Sequence, residues 1–279
     1  MKYLLVKAWM GFGDRLQGLK MCVKYAQDSG RAIFIDWSDS IWSHSKESFY
    51  TYFNLNLPTF RLENLNSSLS VYPQYWKDKL NTTLTLDLLN SGTADYGDFQ
   101  KFYDEDIVVF CCVGNRLIYS DSKFFTNVFR VIHPEILRKV RERQQRYNLS
   151  TKIAVHLRGT DRADKINKLN RFRGIRIRMS SLGLLSGQEF IAVSDDEEFS
   201  SLWRKNFKFP LLTELIPGGS QGNHQISQTS LQVTKNDLNI DMLVDFFTLA
   251  SCKGILSTSK DSRFAQEAER LHFGITDMI

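Results

Sequence analysis

His156 and Arg158 stand two residues apart in the hexapeptide His156-Leu157-Arg158-Gly159-Thr160-Asp161, just after the apolar run Ile153-Ala154-Val155. Alternate residues of a strand point to one side, so both side chains leave the backbone together. The run reads as a buried parallel strand entering a loop. The C-terminal ends of such strands are where open α/β sheets hold their ligands. An arginine fixed there supplies a cation with several donors, suited to gripping a diphosphate and absorbing charge as it leaves. The chemistry implied is that of an enzyme acting on a nucleotide-linked substrate.

Three other clusters have a similar character. Gly11-Phe12-Gly13-Asp14-Arg15-Leu16 joins a first strand to a first helix. Gly11 and Gly13 would let the backbone approach a ligand at a helix N-terminus that favours anions, or would simply make a tight turn. Ser194-Asp195-Asp196 ends another apolar run. A carboxylate there accepts from hydroxyl or amine groups of a ligand, or caps the helix expected at Glu197. Ser257-Thr258-Ser259-Lys260-Asp261-Ser262-Arg263-Phe264 leads from strand to helix. Ser259, Ser262 and Arg263 are its expected diphosphate contacts, with ordinary capping as the plainer role, and Phe264 is expected to pack. Asp161 caps the following segment or approaches the ligand. Asp36 lies where a dinucleotide fold places its ribose-binding acid, although Leu16 stands where that fingerprint needs a third glycine. A nicotinamide-dependent dehydrogenase is therefore a minor alternative.

The elements that must position these residues alternate as βαβ units, which predicts an α/β fold. Tyr3–Trp9 reads as a strand, Leu16–Asp28 as a helix closed by Ser29-Gly30, and Ala32–Ile35 as a second strand. Residues 38–100 read as loops and short elements rich in aromatic side chains, a surface suited to an acceptor. Asp106–Val113 is a further strand. A charged helix from His133 to about Tyr147 marks the boundary between an N-terminal domain, 1–132, and a C-terminal domain, 133–279. In the latter, Lys152–Leu157, Phe190–Val193 and Gly254–Ser257 read as strands. Glu197–Asn206, Ile240–Ala250 and Ser262–Leu271 read as helices, and residues 217–228 as a polar loop.

The 279 residues leave room for two domains, and 42% hydrophobic with 24% charged residues is a globular composition. The net charge of +5 suits an anionic ligand or membrane surface and is too small to argue for nucleic acid. The four cysteines have neither framework nor metal spacing and read as thiols in a reducing compartment. Met1–Met10 reads as a strand rather than a leader, so a cytoplasmic location is expected. The sequons at Asn66, Asn81 and Asn148 then read as chance matches.

Several segments together resemble a known family. GFGDRLQGL and KYAQDSGRAIFIDWSDS, within residues 11–40, resemble the N-terminal segment of the rhizobial Nod-factor α1,6-fucosyltransferases. HLRGTD, IAVSDD and DFFTLASCKGILSTSKDSRFAQEAERL resemble, in order, the three C-terminal motifs of the wider α1,2-, α1,6- and protein O-fucosyltransferase superfamily. The resemblance spans most of the chain and is weakest across 40–130 and 162–188. It implies a GT-B architecture, two Rossmann-like domains facing across a cleft. It implies an inverting, metal-independent transfer of fucose from GDP-fucose, with no cofactor, to a glycan or glycoconjugate hydroxyl. By motif, Arg158 would stabilise the departing GDP and His156 would sit beside the guanosine. Asp195 would bind the donor, and Asp245 would accept from the guanine amine and ring N–H, with Asp241 one turn earlier on the same helical face.

Two departures from the family pattern stand out. Gly159 occupies the place of a second arginine, and Ile166 stands where the family's proposed base is expected. The acceptor proton must still be taken, and Asp14, Asp161 and Asp164 are the candidates. The basic stretch Lys165, Lys168, Arg171, Arg173, Arg176, Arg178 is expected to be a solvated or acceptor-facing surface, with phosphate neutralisation or peripheral contact with an anionic membrane as the other roles. The rival functions are a GT-B enzyme using another GDP-sugar, and a degenerate, non-catalytic glycan- or anion-binding module.

Overall fold

The computed structural model describes residues 1–92, 97–112, 123–159, 165–216 and 233–279, and only the backbone of 165, 166 and 184–186. They form two compact units, Met1–His133 with Thr276–Ile279, and Pro134–Ile275.

Unit one opens with β1 (Tyr3–Ala8), α1 (Phe12–Ser29) and β2 (Ala32–Asp36). There follow α2 (Phe49–Tyr52), β3 (Phe53–Leu55), β4 (Val71–Tyr72), α3 (Leu86–Asn90), β5 (Ile107–Cys112), α4 (Lys123–Val128) and β6 (Phe129–Val131). The main sheet has the order β2-β1-β5-β4 and is parallel, with Lys7 opposite both Asp36 and Cys111. The strand order therefore reverses beside β1, the switch point at which such sheets take ligands. Leu16, Leu19, Val23 and Ala26 are buried along one face of α1, as their spacing predicts. Gly30 stops the helix in the left-handed region, its N–H returned to the carbonyls of Ala26 and Gln27. The helix begins at Phe12, four residues earlier than its apolar face suggests. Gly11 is its extended N-cap, and Gly13 and Asp14 lie in the first turn instead of the preceding loop. An acid in a first turn is favoured by the helix dipole.

The aromatic segment after β2 packs inward. Trp37, Phe49, Phe53, Phe125 and Phe129 are fully or almost fully buried, and the Phe53 and Phe129 rings lie 4.8 Å apart across the antiparallel β3–β6 pair.

Unit two runs α5 (Pro134–Tyr147), β7 (Ile153–Leu157), α6 (Lys165–Ser186), β8 (Phe190–Ser194), α7 (Glu197–Asn206), α8 (Lys235–Ala250), β9 (Gly254–Ser257) and α9 (Arg263–Leu271). The short α10 (Ile275–Met278) closes the chain. The sheet is parallel, in the order β8-β7-β9. Two of its helices extend beyond the sequence expectation. A Thr234/Asp237 capping box starts α8 five residues before Ile240. The basic stretch is a helix of 22 residues, α6. Phe172, Ile175 and Met179 recur on one face of it and fill a core with Val155, Leu157, Phe199 and Trp203. Cations between the apolar positions mask that period in the sequence. No described helix is long and apolar enough to cross a membrane.

Candidate active site

The C-terminal tips of the unit-two strands hold most of the expected donor residues. His156, on β7, is buried, and its Nδ1 lies 3.4 Å from Ser257 Oγ and 3.3 Å from Ser262 Oγ. The Phe264 ring stands 5.4 Å away. Burial pushes the imidazole down to about 4, with Arg158 adding to the fall and Asp195 opposing it. His156 is therefore neutral at physiological pH, an acceptor or donor of hydrogen bonds but not the site's cation.

The serine-rich loop is stitched to β7. Thr258 N donates to the His156 carbonyl at 3.1 Å, and Arg158 N donates to Thr258 Oγ1 at 2.8 Å. Ser259 is buried with its N–H on Ser257 Oγ at 3.2 Å. Ser262 caps α9 by accepting from Ala265 N, and half-buried Arg263 is the first residue of that helix. Thr258 and Ser257 were not singled out from the sequence. The hydroxyl run was the available signal, and only the strand register shows which members turn toward His156.

Arg158 Nη1 lies 2.5 Å from Asp195 Oδ2, and Gly159 N donates to Asp195 Oδ1 at 2.9 Å. Asp195 thus holds the arginine and the loop behind it, a positioning part in addition to any contact with a ligand. The two side chains are 20% and 14% exposed, open enough for an incoming anion to compete for the guanidinium. Asp196 does the capping, accepting from Phe199 N at 2.9 Å, and forms an ion pair with Lys168 of α6. A Cβ on Gly159 would stand 2.6 Å from Asp196 Cγ and Oδ2. The space a second arginine would need is filled by that carboxylate.

Asp245, expected on guanine, is engaged inside the unit. Arg143 Nη1 donates to its Oδ1 at 2.7 Å, and Thr213 Oγ1 donates to Oδ2. Burial pushes its pKa above the ordinary carboxylate value, and the arginine and threonine offset only part of that rise. Asp241 receives Leu215 N on Oδ2 at 3.0 Å, and its buried Oδ1 has no hydrogen-bond partner among the described residues. Burial and the neighbouring Asp245 push Asp241 up to about 7. Of the two acids it is Asp241 that keeps an oxygen uncommitted.

In unit one, Gly11 has open space where a Cβ would stand, and half-buried Asp14 lies in the first turn of α1. Asp36 is ion-paired with buried Lys7 and accepts from Ser38 N at 3.1 Å. With that acid engaged and Leu16 fully buried at the third-glycine position, neither feature supports the nicotinamide reading. Asp161 and Asp164 lie outside the described residues, as does the loop 217–228. Among the described residues no three His, Cys, Asp or Glu side chains gather as metal ligands would.

Two Rossmann-like units, each with a parallel sheet, place the chain in the GT-B class of glycosyltransferase folds. The particular likeness is to fucosyltransferases. Fucosyltransferase NodZ from Bradyrhizobium superposes with a TM-score of 0.70 at 15% identity, over 96% of this chain and 93% of its own. NodZ α-1,6-fucosyltransferase soaked with GDP-fucose gives 0.69 at 15% identity, over 97% and 93%. An Arabidopsis thaliana FUT1 variant in complex with GDP gives 0.55 at 12% identity, over 97% and 69%. No protein-family model and no curated protein matches the sequence. What is shared at these identities is the fold.

Proposed function

We propose that the chain is an inverting, metal-independent fucosyltransferase that moves L-fucose from GDP-fucose to a hydroxyl of a glycan or glycoconjugate. The observation that carries this reading is Arg158, held on Asp195 at the tip of β7 beside a neutral, buried His156 and a hydroxyl-rich loop. It is supported by the fold shared with one fucosyltransferase soaked with GDP-fucose and another in complex with GDP.

In the proposed step the acceptor oxygen bonds to the anomeric carbon as the bond to the β-phosphate oxygen breaks. That oxygen keeps the electron pair, and Arg158 stabilises the charge that grows on it. Attack from the opposite face converts a β-linked donor into an α-linked product. The acceptor proton goes to a carboxylate, Asp14 or Asp161. Ser259, Ser262 and Arg263 bind the diphosphate, and Gly11 and Gly13 admit a ligand to the N-terminus of α1. Asp245, or Asp241 with its uncommitted oxygen, reads the guanine edge.

The reading includes a cytoplasmic location, supported by four buried cysteines that form no disulfide. It also includes peripheral association with anionic lipid through α6. That helix carries no acidic residue and exposes Arg173 and Arg176 beside Leu169 and Ile177.

Calorimetric titration with GDP, GDP-fucose, GDP-mannose and ADP tests the reading. Wild-type protein should bind GDP and GDP-fucose at micromolar levels, roughly −8 kcal/mol, and ADP far more weakly. Arg158→Ala should lose that binding. Turnover of GDP-mannose in place of GDP-fucose would reassign the donor. Absence of any guanine-nucleotide binding would sink the enzyme reading and leave the anion-binding module.

A further inference from the structure

Arg15 is the fourth residue of α1 and is completely buried, and its partner Asp39 just beyond β2 is nearly so. The two carboxylate oxygens take Nη1 at 2.8 Å and Nη2 at 2.6 Å. The guanidinium lies 5.3 Å from the Trp37 ring and 5.5 Å from the Trp42 ring. Two further donors go to the backbone. Nε reaches the Met10 carbonyl at 2.8 Å and Nη1 the Ala8 carbonyl at 3.4 Å, gripping the chain on both sides of Trp9.

That stretch of chain is strained. Met10 has φ +94, and the other described non-glycine residues with positive φ are Asp78 and Asn148. Asp and Asn tolerate this region through their short polar side chains, whereas methionine has no such relief. A residue held there persists only because its surroundings impose it, and such strain gathers at functional sites. The turn leaves β1 at the point where strand order reverses, and it delivers Gly11 and Asp14. A buried ion pair adds little net stability over well-packed apolar side chains, and its best-supported use is to fix one arrangement.

We propose that Arg15 and Asp39 are a positioning pair that holds the turn Trp9–Gly11, and through it Asp14, in the conformation used to activate the attacking hydroxyl. This rests on the fucosyltransferase reading. The guanidinium fork matters here, because a lysine keeps the charge but cannot span a carboxylate and two carbonyls.

The test uses Arg15→Lys, Asp39→Asn and the double variant Arg15→Lys/Met10→Gly in the full chain. Release of GDP from GDP-fucose is followed with water as the acceptor. Amide exchange across residues 9–14 is read in parallel and needs no turnover. Arg15→Lys and Asp39→Asn should slow release by roughly 10- to 100-fold and speed exchange, while GDP affinity stays within about twofold because GDP is assigned to unit two. Glycine accepts positive φ without strain, so Met10→Gly should restore most of the turnover and protection to the lysine variant. A purely structural role would lower GDP binding and turnover together. Wild-type turnover and exchange in Arg15→Lys, or no rescue by Met10→Gly in a variant that still binds GDP, overturns the positioning role. Failure of wild-type protein to bind GDP sinks the enzyme reading instead, and normal exchange in the single variants would then dispose of the clamp as well.

Discussion

Both units place ion pairs at or near the C-terminal tips of their parallel strands, and the pairs differ in exposure. In unit one, Arg15 with Asp39 is sealed at 0% and 1% exposure, and Lys7 is buried at 0% against a partly open Asp36. In unit two, Arg158 and Asp195 are 20% and 14% exposed. A sealed guanidinium has given up its water and depends on its built-in partners. A half-open one can exchange a carboxylate for a diphosphate at small cost. Under the proposed function and the proposed clamp, the same chemistry would serve two ends, one pair fixing backbone and the other binding a ligand.

The hardest test of that contrast is to remove one carboxylate from each kind of pair. Asp39→Ala strands a buried guanidinium and should cost about 3–5 kcal/mol in urea unfolding. Asp195→Ala leaves Arg158 access to water and should cost no more than about 1 kcal/mol, while loosening the loop at Gly159. Equal losses in the two variants would break the comparison.

Acidity sharpens the contrast further, because burial in unit two has moved the titration of groups close to its strand tips. An unfolded chain protonates His156 near 6.5, whereas the native ring resists until about 4. Native stability therefore falls as pH drops through that window, by at most about 3 kcal/mol. Asp241 runs the other way. The native acid holds its proton up to about 7 and the unfolded one releases it near 3.8. Its contribution is complete below 3.8 and is lost as pH rises toward 7. Asp241→Asn should therefore gain stability over wild type at pH 8 relative to pH 4, by the order of a few kcal/mol. Parallel unfolding curves for the two proteins across that range would show that burial has not moved this acid.

Local patterns in the sequence were enough for the strands and for the place of the serine-rich loop between β9 and α9. The apolar runs ending at His156 and Ser194 sit side by side in the sheet, and Ser262 turns toward His156. Long-range pairing was not legible. Arg15 reads as one more polar residue after a glycine turn, because its partner Asp39 and the carbonyls of Ala8 and Met10 meet it only after α1 folds onto the sheet. Asp245 matched a motif, and the motif could not report that Arg143, 102 residues earlier, would occupy it. The basic stretch hid a helix because its core contacts, Phe172, Ile175 and Met179, are spaced among cations.

Gly159 joins these two scales. In sequence it is a missing cation, but in space it is a forced small residue, since any Cβ would lie 2.6 Å from the Asp196 carboxylate. That carboxylate is in turn fixed by the Phe199 amide and by Lys168, so it cannot swing aside without uncapping α7. Gly159→Ala should then cost about 1–3 kcal/mol by overpacking, and Gly159→Arg should lose donor binding instead of strengthening it. Pairing Gly159→Ala with Asp196→Ser separates the causes, because serine still caps the helix but vacates the space. Recovery of stability in the double variant would identify the Asp196 carboxylate as what excludes a side chain there. If Gly159→Ala is neutral on its own, the close approach is not what fixes this glycine.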